Sequence, residues 1–313
     1  MNKTTVEIPF FKDKIDHHKP ICFLGSCFSE NISQKFKIHG FYTAENPFGV
    51  IYNPASLAEN MQAIFKAKAN ENNFFQKDGV FFSWDAHSKV YGESALSLKE
   101  TLISKMNDFA AKLEQAKFVF VTFGTAFCYE RKGDLVGNCH KFPQQEFDKK
   151  LLSIEEIVDV WKPILEKLNS KNIIFTVSPV RHKKDGLIEN TRSKSRLIEA
   201  VHQLCEVKNA FYFPSYEIVL DELRDYAYFG EDGVHPNHYA IKTIWNKVND
   251  AFFSTETQAK ANKFHQLYQD FQHKILFPES HSAKRFIEKR NEKLEHLKLE
   301  NKDMNFEVLE RRG

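Results

Sequence analysis

Ile21-Cys22-Phe23-Leu24-Gly25-Ser26-Cys27-Phe28 reads as a buried strand running directly into the first turn of a helix. The apolar run stops at Gly25, and Phe28, Ile32 and Phe36 then recur four apart, the spacing of one helical stripe. A glycine at the junction allows a tight turn. The same order of signals returns along the chain. Residues 118–123 (FVFVTF) form an apolar run ending at Gly124, and residues 173–177 (IIFTV) form another ending in Ser178-Pro179. Helical patterns lie at 97–113, 154–168 and 194–206, a further short strand at 211–214 (FYFP), and a final helix at 237–252. Strands alternating with helices predict an α/β domain whose mainly parallel sheet is covered on both faces. Active sites of such sheets form in the crevice at the strand C-terminal ends. The residues just after each strand therefore carry the functional interest.

Length and composition narrow the classes. The 313 residues suffice for one large α/β domain with an accessory segment. A 42% hydrophobic share with 27% charged residues fits a folded globular protein, and the 30 phenylalanines predict an aromatic core. A formal net charge of +2 gives no reason to expect nucleic acid or an anionic membrane as partner. The five cysteines (Cys22, Cys27, Cys128, Cys139 and Cys205) are scattered, without the pairing of a disulfide framework. The first residues lack the apolar core of a signal peptide, and no stretch has the length and apolarity of a bilayer span. A reducing, cytoplasmic setting is expected. From Thr255 onward the composition changes. Phe264, Leu267, Tyr268 and Phe271 make one apolar stripe, and residues 283–300 are rich in lysine and glutamate. We therefore divide the chain into a domain over 1–254 and a charged helical extension over 255–313. The extension either packs on its own domain or mediates self-association.

Two segments carry chemistry. Asp232-Gly233-Val234-His235-Pro236-Asn237 places a carboxylate three residues before an imidazole, on a loop that precedes the last helix of the domain. Such a carboxylate can orient the ring through one nitrogen and leave the other free as a general base. The competing reading is a turn and helix cap with His235 incidental. The second segment is the Gly25-Ser26-Cys27 junction. A strand-to-helix turn exposes a side chain and directs backbone N–H groups to one spot, which suits a nucleophile beside an oxyanion donor. Both Ser26 and Cys27 qualify there; the competing reading is a compact turn. Zinc would accept Cys27, Cys139, His140, His182 and His235. Only Cys139 and His140 are close in sequence, and adjacent residues rarely bind one ion, so no metal and no other cofactor is expected.

Gly25-Ser26-Cys27-Phe28-Ser29 resembles the name-giving motif of the GSCFA family, a bacterial branch of the SGNH (GDSL-like) hydrolase superfamily. The likeness continues in order through Asn46-Pro47-Phe48-Gly49, Tyr52-Asn53-Pro54, Phe123-Gly124-Thr125-Ala126 and Asn138-Cys139-His140-Lys141. Ser178-Pro179-Val180-Arg181-His182, then Asn190 with Ser193-Lys194, and Asp232-Gly-Val-His235-Pro complete it, over roughly residues 20 to 250.

That resemblance implies a flavodoxin-like three-layer α/β/α sandwich and an acyl-ester hydrolase (esterase or deacetylase) acting on an acylated glycan or small metabolite. The nucleophile would follow the first strand, Gly49 would offer its N–H to the oxyanion, and His235 with Asp232 would be the base and its orienting acid. The superfamily's serine chemistry favours Ser26, whereas an ungapped match to Gly-Asp-Ser puts Cys27 at the nucleophile position. The expected oxyanion asparagine after Gly124-Thr125 is replaced by Ala126, so Asn138 or His140 would have to substitute as donor. Arg181 and His182, just past another strand end, could hold an anionic or sugar-like substrate group, with solvent-facing loop residues as the equal alternative reading. Acyl transfer would use the same residues, and a non-catalytic glycan- or protein-binding domain is the remaining alternative.

Overall fold

A computed structural model describes residues 4–310. The chain begins with β1 (Ile21–Gly25), α1 (Cys27–Lys37), β2 (Thr43–Glu45) and α2 (Pro54–Lys66). A hairpin of β3 (Phe74–Lys77) and β4 (Val80–Ser83) precedes α3 (Ala95–Gln115) and β5 (Phe118–Phe123). Next come the antiparallel strands β6 (Phe127–Arg131), β7 (Asp134–Val136) and β8 (Asp148–Leu151), then α4 (Ile154–Lys167) and β9 (Asn172–Val177). The domain closes with α5 (Leu187–Leu204), β10 (Ala210–Tyr212), the one-turn α6 (Ser215–Glu217) and α7 (His238–Phe252). The helices α8 (Thr255–Gln272), α9 (His281–Glu300) and α10 (Glu307–Glu310) follow.

The central sheet has the order β10-β9-β5-β1-β2, and every pairing in it is parallel. Counted along the sheet's own strands this is 2-1-3-4-5, the flavodoxin-like order, with its switch point between β1 and β5. Strand periodicity explains the three layers. Ile21, Phe23, Phe118, Phe120 and Ile174 face one core, built with Phe28, Ile32 and Phe36 of α1 and Ile244 and Trp245 of α7. Cys22, Leu24, Val119, Val121, Phe123, Ile173 and Phe175 face the other, with Leu98 and Met106 of α3, Trp161 of α4 and Leu197 of α5. Alternate residues of each strand thus serve opposite layers. The predicted α/β sandwich is observed, and four of its five parallel strands begin and end within a residue or two of the expected limits; the edge strand β2 was not expected.

Two features depart from expectation. The helix predicted to start near 194 begins at Leu187, because its first turns bury the polar residues Asn190, Ser193 and Lys194 and so lack an apolar stripe. The strands β3–β4 and β6–β7–β8 form two small antiparallel sheets that no sequence signal indicated. They flank α2, whose start is fixed by Pro54 at its first position and by Asn53, which accepts a hydrogen bond from Ser56 N at 2.8 Å.

The C-terminal helices pack on their own domain. The Phe264 ring lies where a side chain at Gly40 would be, 2.8 Å from its would-be Cβ. Asn305 N donates to Gly40 O at 2.8 Å, and the His265 ring stacks on His39 with centroids 4.3 Å apart. Among the described residues no helix is long and apolar enough to cross a membrane.

Candidate active site

The turn after β1 is built around Gly25. Its φ of +121° lies in the region that favours glycine, and a Cβ there would sit 2.0 Å from Thr122 O of β5. Asn46 Oδ1 accepts from Gly25 N at 2.8 Å, and Ile51 N donates to Gly25 O at 3.2 Å. The Asn46-Pro47-Phe48-Gly49 segment therefore clamps the turn. Ser26 is the N-cap residue of α1, only 1% exposed, and its Oγ is buried without a hydrogen-bond partner among the described residues. Cys27 opens the helix and is half-buried. Burial pushes its thiol pKa up, as does Glu30; the N–H groups of Phe28 and Cys27 at the helix start, and Lys194, act in the opposite direction.

On the opposite side of the crevice, His235 Nδ1–H donates to Asp232 Oδ2 at 2.6 Å. Asp232 Oδ1 also accepts from Val234 N (2.8 Å) and His235 N (3.0 Å). The His235 hydrogen bond, followed by those two N–H groups, holds the Asp232 carboxyl well below the usual carboxylate range. Both side chains are about half exposed (53% for His235 and 50% for Asp232), so the ring is open to solvent. Its Nε2 makes no hydrogen bond among the described residues. Asn237 caps α7 through Tyr239 N and Ala240 N, which fixes the loop against the helix.

Between these groups lie His182 and Tyr52. Burial, then the Lys194 charge, pushes the His182 imidazole down to about 4, so it is neutral at pH 7. The ring faces the Gly124 carbonyl, feels the charge of His235 and meets Tyr52 edge-on with centroids 5.8 Å apart. Tyr52 is half-buried. Burial and its proximity to Cys27 raise its phenol, and the hydroxyl makes no hydrogen bond among the described residues. Arg181 stacks against Phe229 (4.2 Å) and Tyr226 (5.0 Å), on the loop just before His182.

The backbone N–H groups near the crevice are largely committed. Gly49 N donates to Asn46 O at 2.7 Å, Gly124 N and Thr125 N both donate to Tyr52 O, and Ala126 N donates to Ser193 Oγ at 2.7 Å. Thr125 Oγ1 is also paired with Ser193. Asn138 and His140 lie elsewhere, in the accessory layer. Asn138 Oδ1 accepts from His140 N at 2.7 Å. The His140 ring is enclosed by Phe75, Phe82 and Trp84, with its nitrogens against Ser88 Oγ and Ser83 O. Structure thus groups Cys27, Tyr52, Gly124, His182, Asp232 and His235, and sets Asn138 and His140 apart.

All five cysteines are free thiols. Among the described residues no three His, Cys, Asp or Glu side chains are disposed to hold one metal ion. A cavity of about 870 Å³ lies beside α2 and the accessory strands; Glu59, Asp85, Leu135 and Lys150 line it, but not Cys27, His182 or His235. Volume alone does not outweigh the oriented base and the helix-start thiol.

The model of the GSCFA family matches residues 20–248. The chain belongs to the GSCFA family. No protein of curated function matches it. The match spans β1 through most of α7 and so contains every residue of the crevice described above, while the C-terminal helices α8–α10 lie outside it. Two residues that sequence reasoning left without a role, Tyr52 and Lys194, belong to this family region and face the crevice. Their signal was present as a polar residue kept within an otherwise helical or loop motif.

Proposed function

We propose that this GSCFA protein is an acyl-ester hydrolase of the SGNH type, with Cys27 as the attacking atom, His235 as general base and Asp232 as the group that orients it. The observation that carries the reading is the 2.6 Å bond from His235 Nδ1 to Asp232 Oδ2, which leaves Nε2 of a half-exposed ring without a partner among the described residues. Cys27 is favoured over Ser26 by access, because Ser26 Oγ is buried within the turn. With its pKa raised, the thiol is neutral at rest and needs a base as it attacks. His235 Nε2 takes the thiol proton, Sγ bonds to the acyl carbon, and the protonated ring returns the proton to the departing alcohol. Water, deprotonated by the same nitrogen, then releases the acid from the thioester.

The N–H groups at the start of α1 favour the oxyanion, since they have no intrahelical acceptors. Gly49, whose N–H is already given to Asn46, serves better as a turn residue than as a donor. The Tyr52 hydroxyl, a donor free of partners beside Cys27, supports a second oxyanion contact in place of the missing asparagine. Arg181 and His182 line the approach and suit an anionic or sugar-like leaving group. Turnover of a short-chain p-nitrophenyl ester tests the assignment. His235→Ala should abolish it, and undiminished turnover would sink the reading.

A further inference from the structure

Arg181 is half-buried, and its guanidinium lies over two rings of the loop that carries Asp232 and His235. Its Cζ is 4.2 Å from the Phe229 centroid and 5.0 Å from that of Tyr226. The two rings are 6.1 Å apart and inclined at 48°. Phe229 is 6% exposed and Tyr226 69%, which sets the guanidinium at the boundary between core and solvent. Among the described residues its side-chain N–H groups have no hydrogen-bond acceptor and no carboxylate partner, and none of the nitrogens is buried without one. The donor edge is therefore open to solvent while the flat face rests on the rings.

The carboxylates of this loop do not neutralise it. Asp225 Oδ1 accepts from Ala227 N at 2.7 Å, Asp232 Oδ2 accepts from His235, and Glu231 is exposed and unpaired with it. Lys194, a cation held at the same end of β9, shows the contrast. Its Nζ donates to Gly124 O and to Ser178 O, each at 2.6 Å, and is satisfied within the fold. The position of Arg181 ties it to the crevice. Arg181 N donates to Val234 O at 3.3 Å, Phe229 pairs with Pro236 in an antiparallel bridge, and Gly230 N donates to His235 O at 2.8 Å. Lys183 Nζ donates to Asp232 O, which adds a second positive charge to this loop.

A guanidinium stacked on aromatic faces has a fixed plane and is weakly hydrated. Its edge offers parallel N–H groups that match two oxygens of a carboxylate or phosphate. A side chain that only pinned the loop would need its stem and stacked plane, not free donors. We propose that Arg181 is a specificity-determining residue whose guanidinium edge binds a carboxylate or phosphate group carried by the substrate, so that the crevice selects anionic esters over neutral ones. That the anion is part of an ester rests on the hydrolase reading above; the anion site itself does not.

Glutarate and glycerol 3-phosphate test the carboxylate and the phosphate separately, with glutaramide and glycerol as uncharged controls. Each is titrated against the full chain by ligand-observed NMR. At least one anion should bind saturably, and neither control should. Arg181→Met keeps a stem to pack on Phe229 but has no N–H groups, and it should weaken anion binding about tenfold. In the unaltered protein the bound anion should protect Arg181 from phenylglyoxal, read on its peptide by mass spectrometry. Arg192, which is paired with Glu189, should react as before. This protection needs no variant and decides the matter if Arg181→Met does not fold. Lack of saturable anion binding, equal affinity in folded Arg181→Met, or an unprotected Arg181 overturns the proposal. Arg181-dependent binding in a protein that hydrolyses no ester counts against the hydrolase reading and leaves the anion site standing. Turnover in which mono-p-nitrophenyl glutarate is no better than p-nitrophenyl butyrate overturns the selection and leaves the hydrolase reading intact.

Discussion

His235 Nδ1 and Asp232 Oδ2 are 2.6 Å apart, and the carboxylate is further fixed by the Val234 and His235 N–H groups of its own loop. The pair is therefore a local unit that holds one tautomer of the ring without help from distant parts of the chain. Asp232→Asn removes the acceptor that selects this tautomer. It should reduce kcat/KM for an ester substrate by about 10²–10⁴-fold, measured by steady-state kinetics, while the folding midpoint stays near that of the parent protein because both groups are exposed.

Tyr52→Phe isolates the proposed second oxyanion donor. Its ring contacts with His182 and Gly124 survive the change, and only the unpartnered hydroxyl is lost. The expected result is a kcat lower by about 10²–10³-fold with KM nearly constant. A raised KM with kcat unchanged would point to a binding role instead.

Gly25→Ala should be severely destabilising, by roughly 3 kcal/mol or more, because strained φ and a clash with Thr122 O act together. Gly133 offers the control. Its φ of +87° is also positive, but a Cβ there meets nothing within 4 Å, so Gly133→Ala should cost only about 1 kcal/mol. Urea denaturation of both variants measures the difference.

Acid should weaken the docking of the C-terminal helices. Burial, then His265, pulls His39 down to about 3, far below its ordinary 6.5. The unfolded chain therefore binds more protons than the folded one between those values. Stability from this site is present above about pH 6.5 and is lost progressively as the pH falls toward about 3. His17, held under desolvation beside His39 O, and His265, near Lys35, shift in the same direction. His39→Asn should flatten the decline in urea midpoint between pH 7 and pH 4. Phe264→Ala, which empties the contact with Gly40, should cost about 3–5 kcal/mol at any pH.

How far the sequence could be read follows from these same residues. The core strands were legible because Phe118 to Phe123 and the run at 173–177 are buried on both faces, leaving continuous apolar stretches between glycine and proline. The start of α5 was not, since its inward face there is Asn190, Ser193 and Lys194 rather than apolar side chains. The accessory strands β6–β8 alternate weakly and are short, so no period stands out. At the site, Asp232 and His235 were legible because their pairing is local in sequence. Tyr52 and Lys194 were not, because each acts across the fold on Gly124. Spacing could not separate Ser26 from Cys27; in three dimensions Ser26 is fully buried and Cys27 only half-buried, which is the ground for proposing Cys27.

The most direct measurement is to trap the acyl-enzyme. The full chain is mixed briefly with p-nitrophenyl acetate, quenched in acid, and digested for peptide mapping by mass spectrometry. An acetyl group on Cys27, absent from His235→Ala treated in parallel, is the predicted result. Acetyl on Ser26 with Cys27 unmodified, or ester turnover that persists in Cys27→Ala, would contradict it.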